Sequence, residues 1–250
     1  MALLQRASAS LTRALPLRPL RSRLTAPVAS LSFDDFPRSA WTVGGPILER
    51  HGVRATYYPA GRFCGAVEDG LTYFRREDLA AIAAAGHELG CHSFGHEHGP
   101  RLITAELAAD AERNAAFLAE TLGELKPVSY AYPFGDASPR TKALAARRYA
   151  VSRGIRPGVN AGLIDLAQLR AVPLEQRQWR NDFAERLIAR ATDPRRPGWI
   201  IFFSHDVSDS PSPYGCTPEM LEWVIDTLKQ AGVEILPVKH ALARAAFGAG

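Results

Sequence analysis

The stretch VASLSFDDFP, residues 28–37, sets an apolar run against two adjacent acids and a proline. Residues 28–33 read as a strand, and DDFP as the loop it enters. From here on, short apolar runs alternate with helical patterns. Ser39 is placed to cap a helix over AWTVGGPILERHG that stops at Gly52, and VRATYYPA is a second strand. REDLAAIAAAG reads as a helix ending at Gly86, followed at once by the short strand HELGCH. Thr104 opens a long helix through Leu122, PVSYAYP is the next strand, and SPRTKALAARR the next helix. GWIIFFSH is a strongly apolar strand, TPEMLEWVIDTLKQAG a helix with a glycine end, and VEILPV precedes a final helix. Strand–helix alternation at this spacing predicts right-handed βαβ units and a parallel sheet, in barrel or open form. One domain over 28–246 follows, preceded by a basic segment over 1–27.

Charge confines that basicity to the N-terminus. Residues 1–33 carry Arg6, Arg13, Arg18, Arg21 and Arg23 and no acid, a sum of +5, while the whole chain is +4. Residues 34–250 therefore sum to −1, so no DNA- or RNA-binding face is indicated and no nucleic-acid partner is expected. The segment 1–27 reads as a poorly ordered arm or one lying on an anionic membrane surface, since arginines and prolines interrupt any secretory h-region. No run of 18 apolar residues follows, so no transmembrane helix is predicted. The expected placement is cytoplasmic or inner-membrane-associated, with the periplasm left open. Cys64, Cys91 and Cys216 form no CxxC and no disulfide framework; Cys91 reads as a small buried filler.

The polar residues fall at strand ends. DD follows the first strand, HSFGH the third, YPFG the fourth and SHD the apolar strand near 200. In parallel α/β architectures these ends share one face, and that face carries the site. HELGCHSFGHEHG, residues 87–99, holds four of the seven histidines, and His92 and His96 stand at the spacing of one helical face. Two histidines with one carboxylate leave positions open for water and substrate, the pattern of a catalytic metal site. Asp34 and Asp35 diverge at a strand end, so one is available to ligate and the other to act as a base. His87 reads as structural, His98 as part of a solvated turn and His51 as a helix-end residue.

LSFDDFP, HSFGH, YAYPFG and IIFFSHD, in that order, resemble the successive motifs of the NodB-like polysaccharide deacetylases, carbohydrate esterase family 4. The likeness spans about residues 28–240 and is closest in look to bacterial exopolysaccharide and holdfast deacetylases. It implies a distorted (β/α)7-type barrel that removes acetyl groups from N-acetylated sugars with a divalent metal, Zn2+ foremost and Co2+, Ni2+ or Mn2+ as alternatives. By this resemblance Asp34 is the catalytic base, Asp35, His92 and His96 are the metal ligands, and His205 is the general acid. Pro133 shapes a turn whose Phe134 N–H faces the oxyanion, and Phe203 lines the pocket for the acetyl methyl group. The family's usual arginine before the YPFG turn is Ala131 here; Arg170, from a later motif, is the expected substitute holding the aspartate, with Trp179 as a candidate aromatic wall. The usual aspartate partner of the histidine is not evident, with Asp165 and Asp182 the loose candidates; Asp206 is placed equally well to orient His205 or to cap a turn. The implied partner is an N-acetylated polysaccharide or lipid-linked oligosaccharide. On the residues alone, a non-haem iron oxygenase and a non-catalytic glycan-binding protein stay as competing classes.

Overall fold

Successive residues of a strand face opposite layers, and in the two longest strands of this chain that alternation separates two cores. The computed structural model describes Thr12, residues 15–123 and residues 125–248. β1 (Pro19–Arg21) is followed by β2 (Val28–Asp34), the helices α1 (Ser39–Thr42) and α2 (Gly44–Arg50), and β3 (Thr56–Tyr58). A hairpin of β4 (Val67–Glu68) and β5 (Leu71–Thr72) precedes α3 (Arg76–Ala84), β6 (Glu88–Leu89) and the long α4 (Thr104–Leu122). Next come β7 (Ser129–Ala131), α5 (Pro139–Arg148), β8 (Val151–Arg153), β9 (Leu163–Asp165) and β10 (Val172–Pro173). The chain closes with α6 (Asn181–Ala191), β11 (Trp199–Ser204), α7 (Pro218–Gln230), β12 (Glu234–Ile235) and α8 (Val238–Phe247).

β10, β11, β2, β3 and β6 pair in that order, every ladder parallel. A parallel bridge between Cys91 and Tyr130 hands β6 on to β7, which pairs with β8. The bridge Arg153–Leu169 then leads back toward β10. Seven parallel strands thus close a ring among the described residues, the distorted barrel that the motifs imply. β12 adds alongside the first residues of β2, with Glu234 opposite Val28.

Register explains how the ring is filled. Trp199 lies opposite Val28 and Phe203 opposite Ser32, so Trp199, Ile201 and Phe203 share a face with Ser30, Ser32 and Asp34. Bulky residues from β11 fill the space that small polar residues of β2 leave, and Trp199 Nε1 donates to Ser30 Oγ at 3.0 Å. The opposite face of β2, with Ala29, Leu31 and Phe33, packs under the helices. All the C-terminal strand ends, Asp34 and Arg153 among them, open on one side.

Two expectations need correction. The helix predicted over residues 40–52 is broken at Val43 into α1 and α2. The reading of residues 1–27 as an unpacked arm falls partly outside the described residues, but from Leu15 onward the segment is built into the domain. β1 pairs antiparallel with β9, and Arg18 N–H donates to Asp165 Oδ1 at 2.9 Å. Lys142 lies 1% exposed beneath it, its Nζ 2.7 Å from Asp165 Oδ2 and donating to the carbonyls of Thr12 and Leu15 at 2.6 and 2.7 Å. Charge that composition assigns to a free arm is thus partly used in packing. No helix among the described residues is long and apolar enough to cross a membrane.

A buried cation with three acceptors is costly to remove because the Asp165 carboxylate loses its opposite charge and two carbonyls lose their ammonium donor. Lys142→Met is expected to lower stability by about 3 kcal/mol in urea unfolding. A loss under about 1 kcal/mol, the worth of an exposed pair, contradicts this account of how the N-terminal segment docks.

Candidate active site

At the end of β2 the backbone turns through a left-handed pair, Asp35 at φ 55° and Phe36 at φ 28°. Left-handed conformations of residues with a Cβ cost roughly 1–3 kcal/mol each. Phe36 offsets a cost of that order: its ring is fully buried, stacked on Phe74 at 4.6 Å and edge-on to Tyr57 at 5.2 Å. Burying a phenylalanine contributes roughly 3 kcal/mol. The turn sends Asp34 toward β8 and Asp35 toward the histidines.

Asp35 Oδ1 lies 3.1 Å from His96 Nε2 and 3.4 Å from His92 Nε2. One ligand atom from each of the three residues falls within 4.8 Å of the others. His92 Nδ1 donates to the Ala131 carbonyl at 2.8 Å, which leaves the Nε2 lone pair free to ligate. The helical turn expected for His92 and His96 is not formed. Residues 92–98 are irregular, with Ser93 at φ 63° and His96 at φ 51°. Asp110 of α4 holds this loop by accepting from Phe94 N–H at 2.9 Å and Gly95 N–H at 2.7 Å. A left-handed loop therefore brings together what helical spacing was expected to align.

The surroundings suit a cation. Asp35 Oδ1 is buried and has no hydrogen-bond partner among the described residues. Burial pushes the His96 imidazole down to about 2, with the neighbouring His92 and His205 adding to it, so it is neutral and able to donate its lone pair. Burial likewise raises Asp35. An ion between these groups would relieve both penalties, so the residues present fit a divalent metal with three protein ligands. Phe63 at 5.4 Å and Phe134 at 4.4 Å flank the His96 ring.

Asp34 is on the neighbouring side, 3% exposed, and forms an ion pair with the Arg153 guanidinium. Burial pushes its carboxyl up most strongly, but Arg153, His92 and His205 together outweigh that, and the net position is below the ordinary carboxylate value. Arg170, expected in this role, is not there. Its Nη1 donates to the Pro157 carbonyl at 3.3 Å, in the loop after β8. The missed residue had a signal: AVSRGI, residues 150–155, is another short apolar run ending in a polar residue and glycine. The parallel pairing of β7 with β8 puts Arg153 at the same end of the ring as the other site residues.

His205, one residue past β11, lies with Nε2 3.9 Å from Asp35 Oδ2. Its Nδ1 is 3.2 Å from the Tyr214 carbonyl, which orients the ring in place of a carboxylate. Asp206 instead accepts from Ser212 N–H at 2.8 Å and Ser212 Oγ at 2.5 Å, a turn cap. Asp165 is paired with Lys142, and Asp182 with Arg180 and Arg186 on the surface. Phe203 is buried below, its ring 5.0 Å from the Arg153 guanidinium. Pro133 is buried and Phe134 sits at φ 58°, its ring stacked on His98 at 3.8 Å. His98 pairs with Asp136 at 2.7 Å and stands outside the ligand group. His87 accepts from Ala55 N–H at 2.9 Å, a structural role as expected. Trp179 packs against Phe202 and Trp223 on the helical side, not as a wall of the site.

A family model described as polysaccharide deacetylase matches residues 21–151. A structure described as T48 deacetylase with substrate is 17% identical and covers 88% of this chain and 92% of that one, at a TM-score of 0.61. A family 4 acetyl xylan esterase from Clostridium thermocellum, solved with a cobalt ion, is 22% identical over 86% of this chain and 90% of that one, at 0.59. A family pseudoenzyme from Bacillus anthracis is 17% identical over 91% and 69%, at 0.56. These likenesses show the fold. The curated YlxY of Bacillus subtilis (strain 168), described as uncharacterized, is 28% identical over 103 residues, 41% of this chain and 30% of that relative's length.

Phe36→Ala removes the anchor of the strained turn. The expected loss is about 3–5 kcal/mol of stability, with weaker Zn2+ binding by titration calorimetry under folding conditions. Unaltered Zn2+ affinity in the folded variant contradicts the role given to the turn.

Proposed function

Because the chain belongs to the polysaccharide deacetylase family, and is an enzyme of that family, we propose that it hydrolyses N-acetyl groups from N-acetylhexosamine units of a bacterial polysaccharide. The observation that carries this reading is a carboxylate kept ionised by Arg153 beside the Asp35–His92–His96 group, with His205 across from it. The proposal extends to a polymeric or lipid-linked glycan acted on in the cytoplasm or at the inner membrane, on the strength of the basic N-terminal segment.

Asp35, His92 and His96 would hold the divalent ion, Zn2+ foremost. Such an ion supplies polarisation of the acetamide carbonyl and a lower pKa for water. Asp34 accepts the proton of the water that adds to the carbonyl carbon, a step that its ionised state permits. The Phe134 N–H is assigned to the developing oxyanion, a contribution of roughly 3 kcal/mol. His205 delivers a proton to the leaving nitrogen, while the Tyr214 carbonyl on Nδ1 keeps Nε2 turned to the site. Phe203 receives the acetyl methyl group. The parallel barrel speaks against the oxygenase alternative, whose two-histidine, one-carboxylate sites lie typically in all-β jelly rolls.

Asp34→Asn is expected to lower acetate release from N-acetylglucosamine oligomers by about 10²–10⁴-fold, with metal content by elemental analysis unchanged. Full activity in the metal-loaded variant contradicts the assignment of Asp34 as the base, whereas no acetate release from the metal-loaded wild type would leave a glycan-binding role. Arg153→Met removes the largest of the charges that lower Asp34 against burial, so its pKa rises. A base must be ionised to act, hence the acid limb of the pH–kcat/KM profile moves upward in this variant. A limb that stays in place contradicts the pairing.

A further inference from the structure

A groove of about 1200 Å³ lies beside the site, on the surface formed by the loops after β8 and before β10 together with α6. It begins next to the catalytic residues: Gly135, which follows Phe134, and Gly154, which follows Arg153, both line it. Four arginines line it as well: Arg156, Arg170, Arg190 and Arg196. Among the described residues none of the four has a carboxylate within ion-pair distance. The guanidinium groups of Arg170 and Arg196 donate to the carbonyls of Pro157 and Ala161. The acids at the groove are Asp165, which Lys142 neutralises, and Asp193, whose Oδ1 accepts from Arg195 N–H at 2.9 Å. A chain whose residues 34–250 sum to −1 therefore concentrates positive charge along this one concavity.

The guanidinia feel one another. Arg170 is pushed below its ordinary value, first by burial and then by the charges of Arg156 and Arg190. Like charges held together destabilise a folded protein unless an anion lies between them. Arg190, in the last turn of α6, meets the helix dipole favourably, but Arg156 and Arg170 have no such compensation. A guanidinium presents a planar fork matched to a carboxylate, and a groove this large holds several sugar rings.

We propose that this groove binds the acidic portion of the substrate: a glycan carrying carboxylates, as uronic acids do, on sugars flanking the N-acetylated residue. This rests on the deacetylase reading above and adds the class of polymer to it. An acetamide at Asp34 and His205 leaves the neighbouring sugars to run past Gly135 and Gly154 onto Arg156, Arg170 and Arg190. The acidic sugars then hold the register while the strand-end residues do the chemistry.

The test separates binding from catalysis. Titration calorimetry of the full chain with an oligogalacturonate, which has no acetamide, reads the groove alone. Binding to the wild type is expected to weaken steeply as salt rises. Arg156→Gln with Arg190→Gln, both at exposed positions, is expected to weaken it by about tenfold. The same double variant should release acetate from a neutral N-acetylglucosamine oligomer at the wild-type rate. Equal affinity in wild type and variant overturns the proposal, as does failure of the wild type to bind the oligogalacturonate at low salt. Binding to phosphatidylglycerol vesicles with the same arginine dependence, but not to the oligogalacturonate, overturns it in favour of a membrane surface. Failure of acetate release with intact oligogalacturonate binding would instead count against the deacetylase reading and leave the groove standing.

Discussion

Asp34 and Arg153 are taken out of water together, at side-chain exposures of 4% and 1%, where the open end of the barrel meets its interior. Either charge alone in that place would be expensive, and the carboxyl would protonate rather than remain ionised. Paired, they fix each other. The rings of Tyr58 at 4.8 Å and Phe203 at 5.0 Å lie by the guanidinium and give it a second favourable interaction. A neutral aspartic acid could not accept a proton from water, so the proposed chemistry begins with this pair.

The pair in turn requires the ring to close. Asp34 ends β2 and Arg153 ends β8, strands that are not neighbours and are separated by more than a hundred residues. Only the closure through β7, β8 and the Arg153–Leu169 bridge brings them to one rim. The same closure delivers His205 from β11 and the HSFGH loop from β6. Left-handed non-glycine residues gather in the loops that carry the site, at Asp35, Phe36, Ser93, His96 and Phe134; among the described residues Asp69, in the β4–β5 hairpin, is the one other. At the first of these, a fully buried aromatic ring holds the turn in place.

Much of this was legible in the chain. The alternation of strands and helices predicts a parallel sheet, the family resemblance implies its closure into a barrel, and the four strand-end motifs predict that Asp34, Asp35, His92, His96 and His205 meet. What periodicity could not show is local backbone geometry. His92 and His96 have helical spacing, but Ser93 and His96 are left-handed, because the Asp110 carboxylate offers the loop's N–H groups an alternative to helical bonds. Arg153 went unseen because its strand is only three residues long, too short for a period, while Arg170 sits in a longer and more suggestive stretch. The carbonyl that orients His205 has no sequence signature, since every residue carries one. The N-terminal segment shows the opposite failure. Its arginines suggest a free basic arm, yet Arg18 and β1 are held by Asp165 and β9, partners about 145 residues away.

The central claim is hydrolysis at a three-residue metal centre served by Asp34. It is tested most directly by acetate release from an N-acetylglucosamine oligomer before chelation, after removal of divalent ions by a chelator and dialysis, and after one equivalent of Zn2+ is returned. The account predicts loss of acetate release on stripping and recovery at one ion per chain. Acetate release that persists in protein shown to be free of metal, or that returns only with ions bound in the His92→Ala, His96→Ala double variant, would contradict it.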